Sequence, residues 1–426
     1  GQNMITGMFI IFFILLFIGA PIAYALGISS LFYLMTSDTP LIFLAQKMYA
    51  GIDSFTLLCI PGFMLSGALM NTGGITKRIY RFCNSLVGHI RGSLAMINVL
   101  DSMFFAGISG TAIADVCSLG SMIIPAMVEE GYEDDFSVAL TASTSVMGPI
   151  IPPSVPMVIA GSAVTISVGK MFAGGIVPGL MLGILFMIVT YYIANKHNYP
   201  KHRKYSLKEI LAITKDTIWA LLMPVILMVG ISGGFFTPTE AAIVTVLYSL
   251  VVGVGIYREL NIKRIISVTV ENMHNAASIL ILIGLANVFG AILTNERIPQ
   301  MIAQSILMIS DNYYVVILII NIILLITGMF MESLAAILIL FPVLLPVATS
   351  VGMDPIHFGV MSVLNLMIGL VTPPVGMCLA SAAQIGKVPL KRAILANMPF
   401  LIAMLIVLTL VSYVPFTVTF LPSLLD

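Results

Sequence analysis

Gly148-Pro-Ile-Ile-Pro-Pro-Ser154 lies inside an apolar stretch running from 136 to 165, and Gly369-Leu-Val-Thr-Pro-Pro-Val-Gly376 lies inside another, from 357 to 384. Proline has no N–H to donate, and its ring clashes with the carbonyl of the preceding turn. Paired prolines therefore break a helix and leave several carbonyl oxygens without partners. In hydrocarbon each such oxygen costs several kcal/mol, so this backbone must be buried in protein or line a wet site. Two copies of the same costly break decide how the rest of the chain is read.

The composition around them is that of a membrane protein. Of 426 residues, 59% are hydrophobic and 9% charged, with 19 Lys+Arg balancing 19 Asp+Glu. A soluble domain carries about 25% charged residues. The mean hydropathy of +1.09 excludes an ordinary soluble enzyme and a disordered chain. The neutral balance excludes a nucleic-acid binder, which needs a basic excess. At roughly 20 residues per span the apolar content predicts on the order of ten crossings. The long runs lack the alternation of outer-membrane strands, so the spans are helical.

The two breaks belong to a duplication. At offset 221, Pro125 matches Pro346, Gly131 matches Gly352, Gly148 matches Gly369, Pro152 and Pro153 match Pro373 and Pro374, and Pro178 matches Pro399. Chance gives roughly half a match over this stretch. A shorter match at offset 223 pairs Gly67-Ala-Leu-Met with Gly290-Ala-Ile-Leu. The halves are 1–194 and 217–426, joined by the basic linker 195–216. Residues 38–52 and 261–273 are less apolar and are expected to lie along the membrane surface.

Charge sets the orientation. With the linker placed in the cytoplasm and five net crossings per half, sixteen of the nineteen basic residues fall on the cytoplasmic side. Only Lys47, Lys170 and Arg297 fall outside. An odd crossing number makes the repeats inverted and puts both termini outside. No positively charged n-region precedes the first apolar run, so no cleavable signal peptide is expected.

Two further interruptions, Ser109-Gly-Thr111 and Thr327-Gly-Met-Phe-Met-Glu-Ser333, complete the pattern. The first can face Gly148–Pro153 and the second Gly369–Val375. Carbonyls and hydroxyls together form a hard-oxygen cage for a dehydrated alkali cation. Helices restarting after each break point positive ends at the midplane, a receptor for a carboxylate. The candidate cation ligands are Ser109, Gly110, Thr111, Gly148, Ile151 and Pro153 in one half, and Gly328, Ser333, Gly369, Thr372 and Val375 in the other. The candidate substrate contacts are Ser109, Thr111, Ser154, Glu332, Ser333, Pro373 and Pro374. For Asp115 and Glu332 two readings stand: an ion or proton role, since intramembrane acids are functional by default, or capping of the restarting helix. Glu240, in Thr237-Pro-Thr-Glu240, reads as a helix start. The acidic run Glu129–Asp135 reads as a solvated loop, and the four scattered cysteines as packing residues.

These motifs resemble the large membrane subunit of tripartite ATP-independent periplasmic (TRAP) transporters. Pro61-Gly-Phe-Met-Leu-Ser-Gly67, Ser109-Gly-Thr-Ala-Ile-Ala-Asp115, Gly148-Pro-Ile-Ile-Pro-Pro-Ser154 and Thr372-Pro-Pro-Val-Gly376 carry the resemblance, which covers essentially the whole chain. One departure is Ala106, where many members are expected to have a small hydroxyl residue. The resemblance implies an all-α polytopic protein of the bacterial inner membrane, like the ion transporter superfamily, with two inverted repeats, re-entrant hairpins and broken helices. It implies a scaffold over 1–72 and 217–293 and an elevator-type transport domain over 92–194 and 314–414. Sodium would be the coupling ion and no cofactor is expected. The substrate would be an organic acid: a sialic acid, a C4-dicarboxylate or a sugar acid. Expected partners are a separate small subunit of about four helices and a periplasmic binding protein. No GxxxxGK[ST] loop supports an ATPase, and no Ser-His-Asp or HExxH pattern a hydrolase. The alternatives are a stand-alone cation–carboxylate symporter and, from another class, a channel.

Overall fold

The computed structural model describes residues 2–425, so the chain ends Gly1 and Asp426, to which the expectation of external termini refers, lie outside the described residues. Among the described residues every regular element is a helix. The first half contains α1 (Gln2–Ile18), α2 (Ile22–Thr36), α3 (Ile42–Ile52), α4 (Cys59–Thr72), α5 (Ile75–Val87), α6 (Ser93–Ser109), α7 (Ala112–Glu129), α8 (Asp134–Thr144), α9 (Val155–Val164) and α10 (Val168–Lys196). The second contains α11 (Leu207–Ser232), α12 (Pro238–Leu250), α13 (Ile262–Asn295), α14 (Ile298–Ile309), α15 (Tyr313–Phe330), α16 (Ser333–Ser350), α17 (Pro355–Gly369), α18 (Met377–Gly386), α19 (Leu390–Tyr413) and the short α20 (Phe416–Thr419).

Among the described residues eight helices are long and apolar enough to cross a bilayer, or nine if a bent pair counts as one span. This is close to the ten expected from composition; α1, α2 and α6, at 17, 15 and 17 residues, fall just short of that length. The two less apolar segments, matched by the repeat, take different forms. Residues 42–52 form a separate helix, bent by 66° from the one that follows. Residues 262–273 instead continue without a break into α13, a single 34-residue helix. At 1.5 Å per residue it is about 51 Å long, more than a bilayer's hydrocarbon thickness. Asn261 caps its start by accepting from the Arg264 N–H at 2.9 Å.

The duplication is visible in the helix limits. Adding 221 to the bounds of α7 gives those of α16, and α6, α8, α9 and α10 fall within a few residues of α15, α17, α18 and α19. Two sets of helix contacts stand out. Helices α2, α3 and α4 pack on α12 and α13, and α5 packs on α11. The hairpins and broken helices pack among themselves, with α18 against α7 and α8, and α9 against α16 and α17. Each half thus lends its second broken helix to the hairpin of the other.

Polar ties fix the arms. Arg78 on α5 reaches Glu259 at 2.8 Å and Asp216 at 3.4 Å, and its guanidinium stacks 3.7 Å from the Tyr257 ring centroid. Thr237 and Glu240 form a reciprocal capping box that opens α12, as expected for a structural acid. The acidic run 129–135 is solvated but not idle. Glu130 meets His202 and Glu133 meets His197, both in the linker region, while Arg392 grips Asp134 at 2.6 Å. Desolvation alone would raise the Asp134 carboxyl, but hydrogen bonds from Arg392 and the Asp135 N–H outweigh it and hold the group below its ordinary value. Arg78→Ala removes two charged partners and a ring contact at once. It should cost about 1–3 kcal/mol, read as a lowered melting temperature of the detergent-purified protein.

Candidate functional site

The site is built from four breaks that the fold brings together in pairs. The α6–α7 tip turns at Gly110, whose φ of +69° is left-handed. A β-carbon there would stand 2.6 Å from the Pro153 carbonyl oxygen, so only glycine lets the tip touch the break between α8 and α9. The contact is sealed by the Val155 N–H, which donates to the Gly110 carbonyl at 3.3 Å. In the second half, a β-carbon on Gly369 would lie 2.6 Å from the Gly328 backbone. Tip and break therefore meet backbone to backbone in both halves. Both Pro-Pro peptide bonds, 152–153 and 373–374, are cis.

Asparagines hold the broken helices in place. Asn98 on α6 donates to the Thr141 hydroxyl of α8 at 2.8 Å and accepts from Thr144 at 3.3 Å. In the second half Asn365 on α17 donates to the Asn321 side chain of α15 at 2.9 Å. Across the halves, Asn397 of α19 donates to the Val371 carbonyl in the second break at 2.8 Å and accepts from Ser143 at 2.5 Å. Buried amides with partners made in this way stiffen such a network.

The predicted residues sort by position. The Ser109 hydroxyl donates to a carboxylate oxygen of Asp115, which is itself 1% exposed. The other Asp115 oxygen has no partner and lies against Gly148, where a β-carbon would approach it to 2.3 Å. Ser109, Asp115 and Gly148 thus form one cluster. Glu332 is the N-cap of α16, accepting from the Ala335 N–H at 3.4 Å. Thr372 donates to the Ile368 carbonyl at 2.6 Å. Ser154 is fully buried; it donates to the Pro149 carbonyl at 2.5 Å and accepts from the Met157 N–H at 3.2 Å, closing its own loop. Ala106 is completely buried.

A crevice connects the two tips. It consists of two adjoining cavities of about 420 and 390 Å³ that share Met64, Thr111, Ala114, Cys117 and Asn275. Ser109 and Thr111 line one end, Glu332 and Ser333 the other. Ser154, Pro373 and Pro374 are not on its wall. The opposite wall, from α4 and α13, carries Asn71, Glu271, Asn272 and Asn275. Asn272 is 5% exposed and its side-chain NH2 has no acceptor. Sequence reading missed this wall, although the polar residues at 271, 272 and 275 lie within one helical turn of each other on one face. It also missed Asp101, fully buried on α6 with both oxygens unpartnered. Cys117 is an exposed crevice residue rather than a packing one, while Cys59, Cys83 and Cys378 are buried as expected. Among the described residues no His/Cys/Asp/Glu group is arranged to hold a metal.

Hydroxyls, helix starts and broken backbone around a crevice between two packing groups define a membrane permease, and comparison with known proteins places it. The family model for the tripartite ATP-independent periplasmic transporter, DctM component, matches residues 9–417. The sialic acid TRAP transporter large permease protein SiaM of Vibrio cholerae is 44% identical over 411 residues, 96% of each chain. The C4-dicarboxylate TRAP transporter large permease protein DctM of Pseudomonas aeruginosa is 41% identical over 400 residues, 94% of each chain. In fold, the crystal structure of the Alcanivorax borkumensis YdaH transporter is similar with a TM-score of 0.59 at 16% identity, covering 90% of this chain and 88% of that one. This chain belongs to the DctM component family: it is a multi-pass TRAP transporter large permease and not an enzyme.

Two outcomes check the site. In the folded protein a maleimide should modify Cys117 and spare Cys59, Cys83 and Cys378, as read by mass spectrometry of the digested chain. Ser154→Ala should lower stability by about 1 kcal/mol through its lost cap, seen as a reduced melting temperature, whereas Ser333→Ala, on the crevice wall, should leave that temperature unchanged.

Proposed function

We propose that this permease imports an organic acid, driven by sodium, with a sialic acid as the first substrate to test. The observation that carries the reading is the crevice itself, in which two hairpin tips converge on one space from repeat-related positions. The names of the relatives support an acid: sialic acid for one and C4-dicarboxylate for another. The start of α7, which no side chain caps, suits a carboxylate, since helix N-termini carry a partial positive charge. Ser109, Thr111, Glu332 and Ser333 are the substrate contacts in this reading.

The two backbone junctions are the proposed sodium sites, one at Ser109–Thr111 with Gly148–Pro153, the other at Gly328–Ser333 with Gly369–Val375. Thr372 spends its proton on the Ile368 carbonyl, so its oxygen still has lone pairs with which to accept. A cation takes hydroxyl and carbonyl oxygens without any proton transfer. Sodium bound at a junction holds tip against break, so ion occupancy and a formed substrate site favour one another. In the same reading the repeats are inverted, and the hairpins and broken helices move as a transport domain against the α1–α4 and α11–α13 scaffold. The linker lies in the cytoplasm and the termini in the periplasm. A small helical subunit and a periplasmic binding protein complete the assembly.

Proteoliposomes holding both membrane subunits test this. With loaded binding protein outside, uptake of labelled N-acetylneuraminate should require an inward sodium gradient; uptake by the large subunit alone, indifferent to sodium, overturns the reading. Thr372→Val should weaken the apparent sodium affinity at least about tenfold, the loss of roughly 1.4 kcal/mol at one ligand, with little change in melting temperature.

A further inference from the structure

A second large cavity, about 570 Å³, lies between α3, α13 and the middle of α16. It is the repeat image of the cavity at the first tip. Lys47, Ala50, Gly51 and Ser54 line it where Val268, Glu271, Asn272 and Asn275, their images at offset 221, line the other. The α4 positions recur on α13 at offset 223, with Gly67 answered by Gly290. In all, eleven of the fifteen residues around the first cavity have their counterpart around the second. Phe105, Ser109, Thr111 and Ala114, at and beside the first tip, are the four without one.

The match fails in charge. Lys47 is the only charged residue lining the second cavity, and Glu271 the only one lining the first. Lys47 stands where the other repeat has Val268, and Glu271 where this one has Ala50. Lys47 makes no ion pair among the described residues. Its ammonium group lies 5.6 Å from the Phe43 ring centroid, and its backbone carbonyl accepts from Asn287 at 2.6 Å, which ties α3 to α13. A cation in a cleft with low-dielectric walls raises the local concentration of anions, and an anion lowers it.

We propose that the Lys47 cavity is a capture site for the carboxylate of the incoming acid, and that Glu271 in the repeat-related cavity speeds its departure. This rests on the import reading above, which places Lys47 on the periplasmic side. The exchange of charge between equivalent walls leaves the driving force with the ion gradient. It lowers the barrier for anions arriving on one side and leaving on the other.

The local potential can be read without transport. In the purified complex carrying Cys117→Ser, Ala50→Cys should react faster with an anionic sulfonate thiol reagent than with a cationic ammonium one, and Lys47→Glu should cut that rate ratio about tenfold. A ratio unmoved by Lys47→Glu overturns the anion preference. In sodium-driven uptake of N-acetylneuraminate by the full assembly, Lys47→Gln should lower kcat/KM about fivefold at low ionic strength, converging on wild type at high salt, with kcat unchanged and Lys47→Arg restoring uptake. Lys47→Gln uptake within twofold of wild type at low salt overturns capture. Absent sodium-driven uptake in the wild type counts against the import reading instead, and the reagent ratio still judges the cavity.

Discussion

A broken helix in an apolar protein must find partners for backbone groups that hydrocarbon cannot satisfy. In this permease the partner at each break is another break. Gly110 meets Pro153, and Gly328 meets Gly369, at separations no side chain would allow. Everything else at the centre follows from keeping those junctions closed. The asparagine clamps hold α8 and α17 to the hairpin arms. Ser154 is spent on its own loop. Each half's second broken helix packs into the other half, so each junction is buttressed by an element of the opposite repeat.

The same constraint explains which parts were legible in the sequence. Glycines and prolines that break helices are irreplaceable where they stand, so the repeat offset could be read from them alone, and the helix limits reproduce it. Glu240 could be read as a cap because a capping box is local in sequence. The α13 wall was hidden for the opposite reason. Glu271, Asn272 and Asn275 interrupt nothing; they ride on a continuous helix, and their polarity reads as a surface segment until α4 and the tip are seen across the gap. Cys117 gave no local signal either, since what distinguishes it is the packing of neighbours distant in the chain, whereas Asp101, an acid within an apolar run, carried the same signal as Asp115 and Glu332.

Duplication supplies two equivalent frames, and the chain departs from equivalence where chemistry is placed. The first junction has Asp115 beside it, while the matching position of the second repeat holds Ala336. The crevice end formed by Ser109 and Thr111 corresponds to Phe330 and Glu332 at the other. A symmetric skeleton with unlike side chains lets one crevice present a neutral hydroxyl pair at one end and a carboxylate at the other.

The skeleton itself is unlike in one respect. Where the second half has α13 as one continuous rod, the first has α3 and α4 meeting at 66°. A bent strut and a straight one are not interchangeable in shape. In the proposed transport cycle, a motion that exchanges the surroundings of the two repeats would then join states of unequal energy, with the elbow at Asp53–Phe55 as one source of the difference. Its Ser54 also lines the Lys47 cavity, so a change at the elbow would act on the resting state and on that cavity together.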